Sequence, residues 1–242
     1  FTPAPPLPRT PALLRRARWE RRIGQAYFGL GKLTESREHL QAALGLLGLK
    51  MPVGNGRLLL SLVSQLVQLA WRRFLPGRTG SREWLLEAAS AYETLGHVHY
   101  YLNESLTVIY IAFRTLNLAG KAGDSPQLAQ AYANVGVVLG LVPLHRTVER
   151  YNRWAQDMAQ ELGQLPVLTY VWLLSGVYES GVGDWAQGQA ALEQALALAR
   201  QLGDRLREGE ARVFAVAAAR GAAATLLRPT LVYGAGRDAT LT

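Results

Sequence analysis

LLEAASAYETLGHVHYYLNESLTVIYIAFRTLNLAGKAGD (85–124), SPQLAQAYANVGVVLGLVPLHRTVERYNRWAQDMAQELGQ (125–164) and LPVLTYVWLLSGVYESGVGDWAQGQAALEQALALARQLGD (165–204) follow one another without a gap. Within the stretch Glu83 to Asp204 the same kind of residue returns every forty positions. Tyr92, Tyr132 and Trp172 fall in one column, and Gly96, Gly136 and Gly176 in another. Thr115, Ala155 and Ala195 make a third column, Ala119, Ala159 and Ala199 a fourth, and Gly123, Gly163 and Gly203 close the copies. An aromatic, a glycine one helical turn later and a second run of small residues are what two closely packed helices require. The glycine lets the second helix approach, the aromatic fills the space beside it, and the alanines seat the next unit. The expected fold is therefore all-α, a solenoid of helical hairpins.

The units follow in order. After a Pro-rich linker over 1–11, residues 12–50 form a first hairpin, with Ala12 to Leu30 as one helix and Leu33 to Leu47 as the other. Thr34 is the expected N-cap of the second helix. Residues 51–82 are an irregular insert holding one long helix, Leu58 to Leu75, whose apolar run reads as buried. The three copies at 83–204 each give a helix pair: about Trp84 to Tyr101 with Glu104 to Ala122, Pro126 to Gly140 with His145 to Leu162, and Pro166 to Ser180 with Trp185 to Leu202. Pro126 and Pro166 stand where a first-turn proline is harmless, and Asp184 is a good cap for the helix at Trp185. Residues 205–220 form a terminal helix, out of register because Arg212 stands where the aromatic belongs and Val216 where the glycine belongs. A tail over 221–242, irregular or a single strand, follows.

Ile23, Gly24, Tyr27, Gly31, Ser36, Leu40 and Ala43 resemble the spacing of a tetratricopeptide repeat, and the phrases Ala129-Gln130-Ala131-Tyr132 and Ser175-Gly176-Val177-Tyr178 are similar in kind. Together with Gly140-Leu141-Val142-Pro143-Leu144-His145-Arg146, they resemble the C-terminal repeat region of large bacterial proteins in which a class III adenylate or guanylate cyclase-type domain and an AAA-type ATPase domain come first. That resemblance covers roughly Leu13 to Glu210 and implies a right-handed superhelix that serves as a regulatory or scaffolding arm. Separately, Arg228-Pro229-Thr230-Leu231-Val232-Tyr233-Gly234 resembles a strand of NAD-dependent epimerases, which implies the alternative of an epimerase or dehydrogenase fusion. That fold's glycine-rich phosphate loop is absent, and no tyrosine is followed four residues on by lysine.

Chemistry is sparse. With no cysteine there is no disulfide, thiolate metal site or thiol nucleophile, and a cytoplasmic setting is expected. Gly31-Lys32 and Gly120-Lys121 lack the earlier glycine of a phosphate loop, since Ala26 and Thr115 stand there, so no nucleotide cofactor is expected. His97 and His99, two apart, point in different directions on a helix, and no metal site follows; His39 reads as exposed. The apolar run Leu58 to Trp71 is too short and too interrupted by Ser and Gln to span a membrane. The net charge of +8 is concentrated at Arg15, Arg16, Arg18, Arg21 and Arg22. Without an accompanying nucleic-acid motif this cluster reads as a solvated helix face or a docking surface, and nucleic acid is not the expected partner. The chain opens on Phe1 and is expected to be part of a longer polypeptide.

What remains is binding. The structural repeat positions are Gly24, Tyr27, Tyr92, Gly96, Tyr132, Gly136, Trp172 and Gly176. The tetratricopeptide resemblance implies that the first helices line a concave groove, which the register furnishes with Arg18, Arg21, Gln25 and Phe28, then Glu93, His97 and Tyr100, then Gln130, Ala133 and Val137, and last Tyr170, Leu173 and Val177. The expected partner is a protein or peptide, or the preceding domain of the same polypeptide, and the later groove wall is apolar enough to be covered by another part of the chain itself. Catalysis is not expected of this chain, and the oligomeric state is open.

Overall fold

The computed structural model describes residues 11–71, 81–140 and 145–219, and they are all-helical. Ten helices follow in order: α1 Pro11–Gly29, α2 Leu33–Leu46, α3 Asn55–Trp71, α4 Arg82–Tyr101, α5 Ser105–Ala122, α6 Pro126–Leu139, α7 His145–Leu162, α8 Leu165–Gly181, α9 Trp185–Leu202 and α10 Arg205–Ala219. Residues 1–10 of the expected linker and the whole tail over 221–242, including its expected strand, lie outside the described residues, while Pro11, expected as the linker's last residue, is the first of α1. Among the described residues no helix is long and apolar enough to cross a membrane.

Helix starts follow local side-chain chemistry. The Ser81 hydroxyl accepts from the Trp84 amide and the Ser125 hydroxyl from the Leu128 amide, while Asp184 and Asp204 accept from the amides of Gln187 and Arg207. Each satisfies one of the amides that a helix start leaves without a partner. Thr34 does not: α2 begins at Leu33, so Thr34 is already inside the first turn, and α2 has no side-chain cap. The reversal between α4 and α5 places Asn103 in the left-handed region at φ 63°, seven residues after Gly96, and Gly183 holds the same place after Gly176 at φ 91°.

Four pairs form hairpins, α1 with α2, α4 with α5, α6 with α7 and α8 with α9, and each second helix also packs on the first helix of the next pair. The glycine column explains the closeness. A β-carbon placed on Gly24 would come 2.8 Å from Leu40 Cγ, on Gly136 2.5 Å from Asn152 Oδ1, and on Gly176 2.5 Å from Leu192 Cγ. In each case the residue met is sixteen positions on, so one register builds all three contacts. At Gly96 the fit is looser, 3.1 Å from Ile111 Cγ2. The alanine columns are fully buried: Ala155 and Ala159 pack with Val167 and Val171 of the next hairpin, and Ala195 packs with Ala211 and Ala218 of α10.

One reading of the sequence changes. Across the insert, α2 and α1 both pack on α4, and α3 is set aside on α5. Helix α3 is not the buried helix expected. Leu58, Leu62, Gln65 and Leu69 face inward, one residue per turn, and Leu59, Leu60, Val63, Leu66, Val67 and Trp71 are exposed. A single neighbour can cover only one stripe of a helix that is apolar on most sides. Gln65 pins that stripe: the Asn117 amide donates to its carbonyl at 2.9 Å and its side-chain oxygen at 3.0 Å, all of it buried.

The forty-residue order also runs on past Asp204. Helix α10 begins forty residues after α8 and packs on α9 and α8 as a further first helix. Val216, at the glycine position of that unit, is exposed, so nothing there demands a small residue.

Candidate functional site

The first helices converge on a cavity of about 150 Å³ that α10 helps to close. Helix α1 brings Phe28, α4 brings Glu93, His97 and Tyr100, α6 brings Asn134 and Val137, α8 brings Tyr170, Leu173 and Val177, and α10 brings Arg207, Glu210 and Phe214. Behind them Ile111, Ala112 and Thr115 of α5 form the floor. Gly96 also lines the cavity, where a β-carbon would come against Ile111.

Polar groups in this apolar setting are chained together. The Tyr170 hydroxyl donates to Asn134 Oδ1 at 2.6 Å, and His97 Nε2 lies 3.0 Å from the same hydroxyl. Since that hydroxyl spends its only proton on Asn134, Nε2 of His97 is the protonated nitrogen of a neutral ring. Arg207 donates to Glu210 at 2.9 Å and lies with its guanidinium carbon 4.6 Å from the centre of the Tyr170 ring. Glu210 also accepts from the Tyr101 hydroxyl at 2.9 Å, so α10 is tied back to α4 across the cavity. The rings of Phe28 and Tyr101 and those of Phe28 and His97 are 5.8 and 6.0 Å apart.

Burial sets the charges. His97 is held down to about 3 by loss of water, helped by the Arg207 charge, so it stays neutral at physiological pH. Glu93 is pushed up to about 7 by the same loss of water, against the pull of Arg207 and Arg21. Burial opposes the Arg207 charge, but Glu210, Tyr170 and Asp204 outweigh it and its pKa is raised. Tyr170 and Tyr100 are shifted up, mainly by burial, and remain protonated.

The sequence-named groove residues divide. Phe28, Glu93, His97 and Tyr100, with Val137, Tyr170, Leu173 and Val177, line the cavity together. Arg18 and Arg21 do not reach it: both turn to Glu87 of α4, and Arg18 also pairs with Glu83. Gln25 accepts from Arg21 and donates to Thr94, completing a polar seam between α1 and α4. Half-buried Gln130 sits one turn before Asn134, outside the lining, and Ala133 is buried in packing. His39 is half-buried rather than exposed, because it pairs with Glu20 at 2.7 Å and stacks on Tyr27. His99 points away from His97, to Glu104 at 2.8 Å.

Arg207, Glu210, Asn134 and Thr115 were not singled out from the sequence as site residues. Glu210 was within reach, because it lies forty residues after Tyr170 in the column that also holds Gln130. Thr115 stands in a repeat column that was read for packing alone, and Arg207 carries no such mark, entering through the position of α10. Among the described residues no three His, Asp or Glu side chains come together as metal ligands. Neither a scan against protein-family models nor a search of curated proteins finds a match to this chain.

Proposed function

We propose that this chain is a tetratricopeptide-like, right-handed solenoid that makes protein or interdomain contacts and does no catalysis of its own. It would serve, in the cytoplasm, as the regulatory or scaffolding arm of a larger ATPase-cyclase-type signalling protein. The observation that carries this reading is the outward face of α3. Leu60 is 73% and Trp71 61% exposed, and with Leu59, Val63, Leu66 and Val67 they make one continuous apolar strip with no charged residue between Arg57 and Arg72. Contiguous exposed apolar surface of this kind marks a place where another surface docks. Helix α3 also stands outside the hairpin stack, held by its buried Gln65 stripe, so it can present this face without disturbing the repeats.

The hairpin order, the glycine contacts and the tetratricopeptide-like residues of the first unit support the solenoid part of the proposal. A His97 ring held down to about 3, too weak a base to take a proton at neutral pH, and tyrosines that stay protonated support the non-catalytic part.

Photo-crosslinking tests the reading. A benzophenone side chain replaces Leu60 of α3 in one variant and the exposed Gln187 of α9 in another, and both are irradiated in the cells that express the protein. The reading expects discrete protein adducts at position 60, lost when Val63→Asp and Val67→Asp are added, and few at position 187. Equal labelling at the two positions, or adducts at 60 that survive the aspartates, would overturn it.

A further inference from the structure

The cavity is built to hold something that the outer face does not explain. It is lined on nearly every side by aromatic and aliphatic groups, yet two polar groups in it are left over. Thr115 is 2% exposed and its hydroxyl has no hydrogen-bond partner. Half-buried Glu93, on the facing helix α4, makes no hydrogen bond or ion pair among the described residues; the positive charges nearest in effect, Arg207 and Arg21, are engaged with Glu210 and Glu87. A buried hydroxyl without a partner and a half-buried carboxylate without a donor, in a space this apolar, carry a desolvation cost that a ligand donor would relieve.

Charge selects the ligand. Within the cavity Arg207 and Glu210 cancel and His97 is neutral, so ionised Glu93 leaves one uncompensated negative charge. The rings of Phe28, Tyr100 and Phe214 line the same space, and aromatic faces favour a cation over an anion. Size narrows it further: a cavity near 150 Å³ has room for a body about as large as benzene.

We infer that the cavity binds a small organic amine, its ammonium group on the Glu93 carboxylate and the Thr115 hydroxyl and its apolar body among Phe28, Val137, Leu173 and Phe214. This site is independent of the α3 face. Because α10 supplies part of the lining and is tied to α4 through Glu210 and Tyr101, an amine seated there would also bridge α4 and α10.

The test is a titration of the whole chain with benzylamine, benzyl alcohol and benzoate, followed through the His97 ring resonances. Benzylamine is expected to bind saturably and about tenfold tighter than benzyl alcohol, with benzoate weakest. Glu93→Gln should bring benzylamine down to the level of benzyl alcohol while leaving the alcohol unchanged. Val137→Phe, which fills the cavity, should abolish both. If Glu93→Gln does not fold, calorimetry of wild type in buffers of different ionisation heat replaces it: at pH 7 amine binding should release protons, as Glu93 is drawn into its ionised form. Equal affinity for the amine and the alcohol, tighter binding of benzoate, or an amine affinity untouched by Glu93→Gln or unaccompanied by proton release would overturn the assignment.

Discussion

His97 Nε2 of α4 stands 3.0 Å from the Tyr170 hydroxyl of α8, so two first helices seventy-three residues apart are joined through a ring that stays neutral. Glu93, one turn before His97, is shifted in the opposite sense. Unfolded, a histidine titrates near 6.5 and a glutamate near 4.5; folded, His97 titrates at about 3 and Glu93 at about 7. As pH rises from 3 to 6.5 the unfolded chain carries a His97 proton that the native chain lacks, so that contribution to stability grows. As pH rises from 4.5 to 7 the native chain keeps a Glu93 proton that the unfolded chain has lost, so that contribution shrinks.

Between pH 4.5 and 6.5 the two effects oppose, and removing either exposes the other. Arg207, Arg21 and Glu210 and the hydroxyls of Tyr100, Tyr101 and Tyr170 face the pair and are common to all variants. Urea unfolding of Glu93→Gln, compared with wild type, should show a stability difference that increases with pH by up to one proton's worth per unit. His97→Gln should show a difference that decreases with pH over the same window. Curves parallel to wild type would mean that neither group is perturbed.

Glycine contacts give a contrast within one fold. Gly176→Ala forces a methyl group toward Leu192 Cγ and the Gly188 carbonyl, and Gly136→Ala forces one onto buried Asn152. Each should cost about 1–3 kcal/mol in urea unfolding, the usual cost of overpacking. Gly209→Ala lies in α10 with nothing within 4 Å and should instead gain about 0.5–1 kcal/mol, since alanine loses less backbone freedom in a helix. A similar response at all three positions would remove close approach as the reason for the glycine column.

Asn117 decides where α3 sits. Asn117→Ala deletes both buried hydrogen bonds to Gln65 and should weaken the docking of α3 by about 2 kcal/mol, at about 1 kcal/mol for each bond. Hydrogen exchange should then rise across 55–71 and stay unchanged in α6 to α9. A uniform rise over the chain would show that α3 is part of one cooperative unit with the hairpins.

The hairpin stack was legible because each packing constraint leaves a residue behind. Gly176 and Ala195 are small since something lies against them, and that reason repeats every forty positions. Helix α10 escaped for the same reason reversed: no helix among the described residues packs on exposed Val216, so its position carries no small residue to read. For α3, the run from Leu58 to Trp71 announces a helix and says nothing about how many neighbours cover it. In the site, Glu93, His97 and Tyr170 came from the register, whereas the fate of Arg18 and Arg21 rested on Glu83 and Glu87. Those partners are sixty-five or more residues away in sequence and become neighbours only once α1 packs on α4.

If the α3 face is the contact surface, partner binding leaves a hydrogen-exchange footprint on it. The chain is compared alone and bound to the protein recovered by crosslinking at position 60. Slower exchange of the amides over 55–71 is expected in the complex, with α6 to α9 unaffected. Unchanged exchange in α3, with protection appearing on α6 to α9 instead, would contradict it.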